Sequence, residues 1–87
     1  MLATTEVRAL VHEQITALLA ESGDAPAITG AEQLPELGVS SLMLARLIVA
    51  LELELGVDPF AADLELSAVR TVDDMVSAYE AALAAAG

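Results

Sequence analysis

The stretch Ser41–Leu55 constrains the fold most. It runs from Ser41-Leu42-Met43-Leu44 to Leu53-Glu54-Leu55 with no helix breaker inside and with Gly56 behind it. It is apolar nearly all round, so as a helix it must either sit centrally in a core or show an apolar face to a partner. Ser40 or Ser41 supplies its N-terminal cap. Gly56 stands where a left-handed C-terminal cap closes such a helix. Apolar residues on every side leave the helical phase open. Leu42, Ala45, Val49 and Leu53 are the expected core-facing positions.

Two further helices flank this one. Thr4 or Thr5 is expected to cap the first. Val7, Leu10, Val11, Ile15, Leu18 and Leu19 then recur at helical spacing, forming one apolar stripe that runs to about Glu21. Ser22-Gly23-Asp24 supplies a stop. The segment Ser22–Val39 holds Gly23, Pro26, Gly30, Pro35 and Gly38, too many breakers for a helix. A loop this long in a small domain needs anchors, and Ile28, Leu34 and Leu37 are the candidates. Asp58-Pro59-Phe60 marks the next connection, and Ala61–Ala68 reads as a short helix or an irregular turn. Thr71-Val72-Asp73-Asp74 resembles a capping box with Asp74 in the usual glutamate slot. Val72, Met75, Val76, Tyr79 and Leu83 form the buried stripe of the last helix. The pattern predicts an all-α domain over residues 1–87, a small bundle of three main helices and one short one.

Composition narrows the chemistry. The chain has 87 residues, so it makes one domain with one modest core. It has no cysteine, which excludes a disulfide scaffold, a thiolate metal site and a cysteine nucleophile. Acidic residues number 14 against 3 arginines and no lysine, for a formal charge of −11. No basic patch exists to displace counterions from phosphates, so nucleic acid is not an expected partner. The same charge disfavours anionic membrane surfaces. No uncharged run reaches the roughly 18 residues of a membrane span. The start Met1–Leu10 lacks a signal peptide's basic opening, and Glu6 interrupts its apolar stretch. The expectation is a cytoplasmic protein.

Catalysis finds little support. His12 is the only histidine, flanked by apolar positions of the first helix, and reads as a solvent-edge residue without a role. Asp58–Glu65 lacks the central glycine and the alternating oxygen ligands of a calcium loop. No metal site is expected. Gly38-Val39-Ser40-Ser41, however, stands at a loop-to-helix junction. Free backbone N–H groups and the helix dipole favour a phosphate there, and a serine at that point is a sensible anchor for a phosphodiester.

These residues carry a resemblance. Leu37-Gly38-Val39-Ser40-Ser41-Leu42 is similar to the Leu-Gly-x-Asp-Ser-Leu signature of acyl and peptidyl carrier proteins. Leu51-Glu52-Leu53-Glu54-Leu55-Gly56-Val57 resembles the family's Leu-Glu-x-x-x-Gly-Val/Ile. Thr71-Val72 resembles the start of its last helix, and the likeness spans about Val7 to Leu83. The resemblance implies the acyl carrier protein fold and no enzymatic activity of its own. It implies that Ser41 carries covalent 4′-phosphopantetheine, with Gly38 turning the backbone into the helix and Leu42 packing under the helix start. Ser40 departs from the family, which usually has Asp in that slot; it is a rival acceptor and loses a carboxylate that a generic transferase reads.

The first turns of the modified-serine helix carry no acid before Glu52, and Arg46 resembles the Arg that often follows at that distance in peptidyl carriers. The acidic charge elsewhere resembles a stand-alone carrier. The likeness therefore implies a monomeric carrier holding a thioester-linked intermediate or starter unit, preferably aminoacyl, for polyketide or nonribosomal peptide biosynthesis, including antibiotic pathways. Its implied partners are a phosphopantetheinyl transferase, an acyl- or aminoacyl-loading enzyme or acyltransferase, and a downstream synthase. Leu42, Met43, Leu44 and Arg46 are the candidate partner-binding residues. Either Met43 and Leu44 both dock, or Met43 is core and Leu44 alone is exposed. The rival reading is a cofactor-free helical adaptor that dimerises through the apolar helix.

Overall fold

A computed structural model describes residues 4–21, 23, 27–60 and 68–86. Three α-helices and one 3-10 turn make up its regular structure: α1 (Thr4–Ala20), the 3-10 turn (Leu34–Leu37), α2 (Ser41–Leu55) and α3 (Val72–Ala86). This is the helical fold expected from the sequence, without strands among the described residues. The short helix expected over Ala61–Ala68 lies, but for Ala68, outside the described residues. Thr4 and Thr5, expected to cap α1, lie within it.

The α1 and α3 stripes enclose the core as their spacing dictates. Val7, Val11, Ile15 and Leu19 are buried on α1, with Leu10 and Leu18 half-buried at the stripe's edges. Val72, Met75, Val76 and Tyr79 are buried on α3, and Leu83 packs on their margin. Helix α1 packs against both α2 and α3. The Tyr79 ring meets Phe60 edge-on, with centroids 6.3 Å apart. Its hydroxyl donates to the Ile48 carbonyl of α2 at 3.5 Å, tying α3 to α2. Burial, with the charges of Asp58 and Glu52 behind it, raises the Tyr79 pKa, so the phenol stays neutral and keeps its donor.

Helix α2 corrects the expected phase. Its fully buried residues are Leu47 and Leu51, with Met43, Leu44 and Leu55 packed against the core from the same side. Leu42, Val49 and Leu53 are 72%, 56% and 82% exposed, and Ala45 is exposed beside them. Positions two apart on a helix point about 200° from each other. Choosing 42 and 53 instead of 44 and 51 therefore turns the helix over. Both faces are apolar, so hydrophobic pattern could not choose; packing against the rest of the core did. Leu42 does not pack under the helix start.

His12 is not at the solvent edge either. It is half-buried, and its Nε2 is enclosed without a hydrogen-bond partner among the described residues. Position 12 lies beside Val11 at the border of the α1 stripe, close enough for the packed helices to cover the ring.

The long loop is anchored by hydrogen bonds as well as by side chains. Leu34 is buried, and Ile28 and Leu37 pack against the core. The Leu34 N–H donates to the Arg70 carbonyl at 2.8 Å, the Val72 N–H to Glu32 at 3.1 Å and the Asp73 N–H to Gly30 at 2.9 Å. Gln33 and Thr71 form an isolated antiparallel bridge. The Glu32 carboxylate folds the preceding turn around itself. It accepts from the N–H groups of Thr29 and Gly30, both at 2.8 Å, and from the Thr29 hydroxyl at 3.0 Å. At the other end of the pairing, the expected capping box forms. The Thr71 hydroxyl accepts from the Asp74 N–H at 3.1 Å, while the Asp74 carboxylate accepts from the N–H groups of Arg70 and Thr71. These two backbone bonds, Arg70 first, hold the Asp74 carboxyl below its usual value.

Two predictions follow from this packing. Leu51→Ala will cost about 2–5 kcal/mol in urea unfolding, whereas Leu53→Ala will change stability by no more than about 0.5 kcal/mol; equal losses would contradict the assigned face of α2. The second concerns acid. Backbone hydrogen bonds from Thr29 and Gly30 depress the Glu32 pKa from 4.5 to about 2. A depressed carboxyl contributes stability above its unfolded pKa and loses it as pH falls through the folded one. Glu32→Gln will therefore flatten the loss of stability between about pH 4.5 and 2, read as unfolding midpoint against pH.

Candidate phosphopantetheine attachment site

The loop delivers the chain to α2 through a tight sequence of turns. The Glu36 carboxylate accepts from the Gln33 N–H at 3.1 Å and opens the 3-10 turn. Gly38 ends it in the left-handed region, at φ 90° and ψ 15°, where a side chain would be strained. Its N–H donates to Pro35, and that of Val39 donates to Leu34 at 3.1 Å. Gly38 thus makes the turn expected of it, and the backbone emerges at Ser40 in an extended conformation.

Ser40 and Ser41 then take different roles. Ser40 is the N-cap: its Oγ accepts from the Met43 N–H at 3.2 Å, and its carbonyl accepts from the Leu44 N–H at 2.8 Å. The slot that the signature gives to Asp is thus held by another good capping residue. Ser41 is the first residue of α2 and is exposed, and its hydroxyl makes no hydrogen bond to any described residue. A group on Ser41 would sit at the positive end of α2, where the first backbone N–H groups have no helical acceptor. The first turn of α2 carries no acidic side chain to oppose a phosphate. The local chemistry fits a serine-linked phosphodiester.

The neighbouring candidates divide in a way the sequence left open. Leu42 is the exposed one. Met43 and Leu44 are both half-buried and lean on the core, so the arrangement with Met43 packed and Leu44 alone exposed is not the one found. Arg46 is exposed but engaged. Its two terminal nitrogens donate to the two carboxylate oxygens of Glu21, each at 3.0 Å, in a bidentate pair. Helix α1 has no basic residue in its last turn, so Arg46 supplies from α2 the cation that the negative end of α1 lacks. A shallow groove of about 390 Å³ runs between Ala45, Arg46, Val49, Ala50 and Leu53 on the outer face of α2. A larger alanine-lined groove, about 770 Å³, lies along α3 beside Val57–Pro59.

Sequence reasoning missed the partners of the loop. Glu32 and Arg8 stand in no motif; Gly30 carried a signal only as a breaker, and Asp73 only as a member of the Thr71–Asp74 stretch. Among the described residues no cluster of acidic or histidine side chains could hold a metal ion, and no helix is long and apolar enough to cross a membrane.

Comparison with known proteins agrees with this geometry. The family described as "Phosphopantetheine attachment site" matches residues 7–78. The solution structure of MacpD, an acyl carrier protein from Pseudomonas fluorescens involved in mupirocin biosynthesis, is similar at 36% identity and a TM-score of 0.76. The match covers 87% of this chain and 69% of that one. No curated protein sequence matches. With its helix order, its serine-bearing helix start and a family match over most of its length, the chain belongs to the phosphopantetheine-binding carrier proteins, which hold that prosthetic group covalently and are not themselves enzymes.

Proposed function

We propose that Ser41 is the attachment point and that the chain carries an acyl intermediate or starter unit for an assembly line of the polyketide type. The observation that carries the first part is the division of labour at the head of α2. The Ser40 hydroxyl is bound to the Met43 N–H, while the Ser41 hydroxyl stands exposed. A transferase acting on Ser41 leaves the cap of α2 intact; acting on Ser40 it would break that cap. The attached group supplies a terminal thiol that holds cargo as a thioester. The chain's own part is to present that group at the end of a rigid helix and to offer a surface beside it.

The acyl and polyketide parts draw support from the likeness to MacpD, whose setting is mupirocin biosynthesis. The aminoacyl preference rested on Arg46, which pairs with Glu21 at the surface, and the likeness to MacpD, an acyl carrier protein, lends it no support. A nonribosomal peptide setting is thus the less favoured one. The partners are a phosphopantetheinyl transferase, the enzyme that loads the cargo and the synthase that takes it on. They meet α2 at Leu42 first, with Met43 and Leu44 contributing their exposed parts and Arg46 the flank. Such contact is mainly apolar and depends little on salt.

Intact mass tests the attachment point. Apo protein incubated with coenzyme A and a phosphopantetheinyl transferase will gain one phosphopantetheine increment. Ser40→Ala will keep it, and Ser41→Ala will lose it. An increment that persists in Ser41→Ala would reject the assignment. The docking residues have their own test. Leu42→Ala will slow turnover by the loading enzyme without lowering the unfolding midpoint; unchanged turnover in both Leu42→Ala and Leu44→Ala would remove α2's first turn from the docking surface. The exposed stripe Leu42, Val49 and Leu53 also suits a second reading, a cofactor-free adaptor that dimerises through α2. A concentration-independent monomer by light scattering, together with the mass increment, excludes it.

A further inference from the structure

Adjacent aspartates at the head of α3 do different work. Asp74 caps the helix, accepting from Arg70 and Thr71. Asp73 takes no part in that box. Its carboxylate turns toward the loop and accepts from Nη1 of Arg8, which reaches it from α1. It lies across Gly30, which is buried and sits at φ 118°. A Cβ on Gly30 would run into the Asp73 carboxylate, with Cγ only 2.8 Å away, so the carboxylate would have to leave its place. The Asp73 N–H meanwhile donates to the Gly30 carbonyl. One residue of α3 thus grips the loop from two sides, and one residue of α1 holds it in that position. Among the described glycines, only the one beneath Asp73 makes room for a neighbour by lacking a side chain.

The consequence lies downstream. From Gly30 the chain runs through the pairing at Leu34, the 3-10 turn and Gly38 to the exposed Ser41. Hydrogen bonds hold this route in place: the Leu34 N–H donates to the Arg70 carbonyl, that of Gly38 to Pro35 and that of Val39 back to Leu34. A transferase must receive Ser41 together with the loop that precedes it. A loop that wanders lowers the fraction of molecules ready to be received, and apparent affinity falls with that fraction.

We propose that Asp73, fixed by Arg8, is a positioning residue for phosphopantetheine attachment: it clasps the loop at Gly30 and so sets the approach of the chain to Ser41. The inference rests on Ser41 being the attachment point. An exposed ion pair is weak by itself, so the effect belongs in the transferase's KM and in local opening more than in global stability.

The test uses apo wild type, Asp73→Ala, Arg8→Ala, Arg8→Lys and, as a control destabilised away from the loop, Ala78→Gly. Hydrogen exchange at the Gly38 and Val39 amides and steady-state transferase kinetics are both read. Asp73→Ala and Arg8→Ala should speed exchange at those two amides and raise KM by about twofold and at most about fivefold, the range for an exposed pair, with kcat little changed. Arg8→Lys should restore most of both. If Asp73→Ala matches Ala78→Gly in exchange and in KM once their unfolding midpoints are compared, the clasp is only structural and the proposal fails. Failure of the wild type to take up phosphopantetheine would overturn the Ser41 reading instead, and the exchange measurements would still decide the clasp.

Discussion

The short antiparallel pairing of residues 30–34 with 70–73 is the contact on which the rest of the molecule depends. Its three backbone bonds, at 2.8, 3.1 and 2.9 Å, join a loop near the middle of the chain to the entrance of the last helix. Without it, the segment between α1 and α2 would carry unpaired backbone groups and cost conformational entropy with little return. With it, Leu34 enters the core and α3 starts in register, while the chain reaches α2 from a fixed direction. Side chains finish what the backbone begins. Glu32 folds the turn on one side, Asp74 caps the helix on the other, and Asp73 lies between them over Gly30.

Around this pairing the helices solve an ordinary packing problem with an unusual middle member. Helices α1 and α3 each have one apolar stripe, and each buries it. Helix α2 has two apolar faces and can bury only one. The buried face, Leu47 and Leu51, closes the core. The other leaves Leu42, Val49 and Leu53 in solvent, which a domain with no other exposed large hydrophobic side chain among its described residues does not do for stability. The charge distribution points the same way. A protein of net charge −11 keeps the first turn of this helix free of acids and pairs the helix's one arginine, Arg46, with Glu21. The first turn of α2, beside Ser41, thus carries no acidic side chain in a strongly acidic molecule.

Much of the site was legible because its chemistry is local. A serine cap, a glycine turn and an exposed serine at a helix start need only neighbours in sequence, and Gly38, Ser40 and Ser41 stand as their order implied. The Thr71–Asp74 box was legible for the same reason. The face of α2 was not. Hydrophobic periodicity assigns a face only when the opposite side is polar, and here Leu42 and Leu44 are the same residue type on opposite sides. The partner of Arg46 was hidden too, because Glu21 is 25 residues away and nothing local marks the pair.

The sequence by itself determined the three main helices, the interior stripes of α1 and α3, the glycine end of α2, the capping box of α3 and the serines at the head of α2, since each follows from spacing or from residues within one turn. Only the tertiary structure decided which side of α2 faces inward, that Asp73 lies over Gly30 while Asp74 caps, that Arg46 answers Glu21, and that His12 Nε2 is enclosed. Those outcomes depend on elements meeting across 25 to 65 residues of chain, and no local preference distinguishes them until the packed helices bring the groups together.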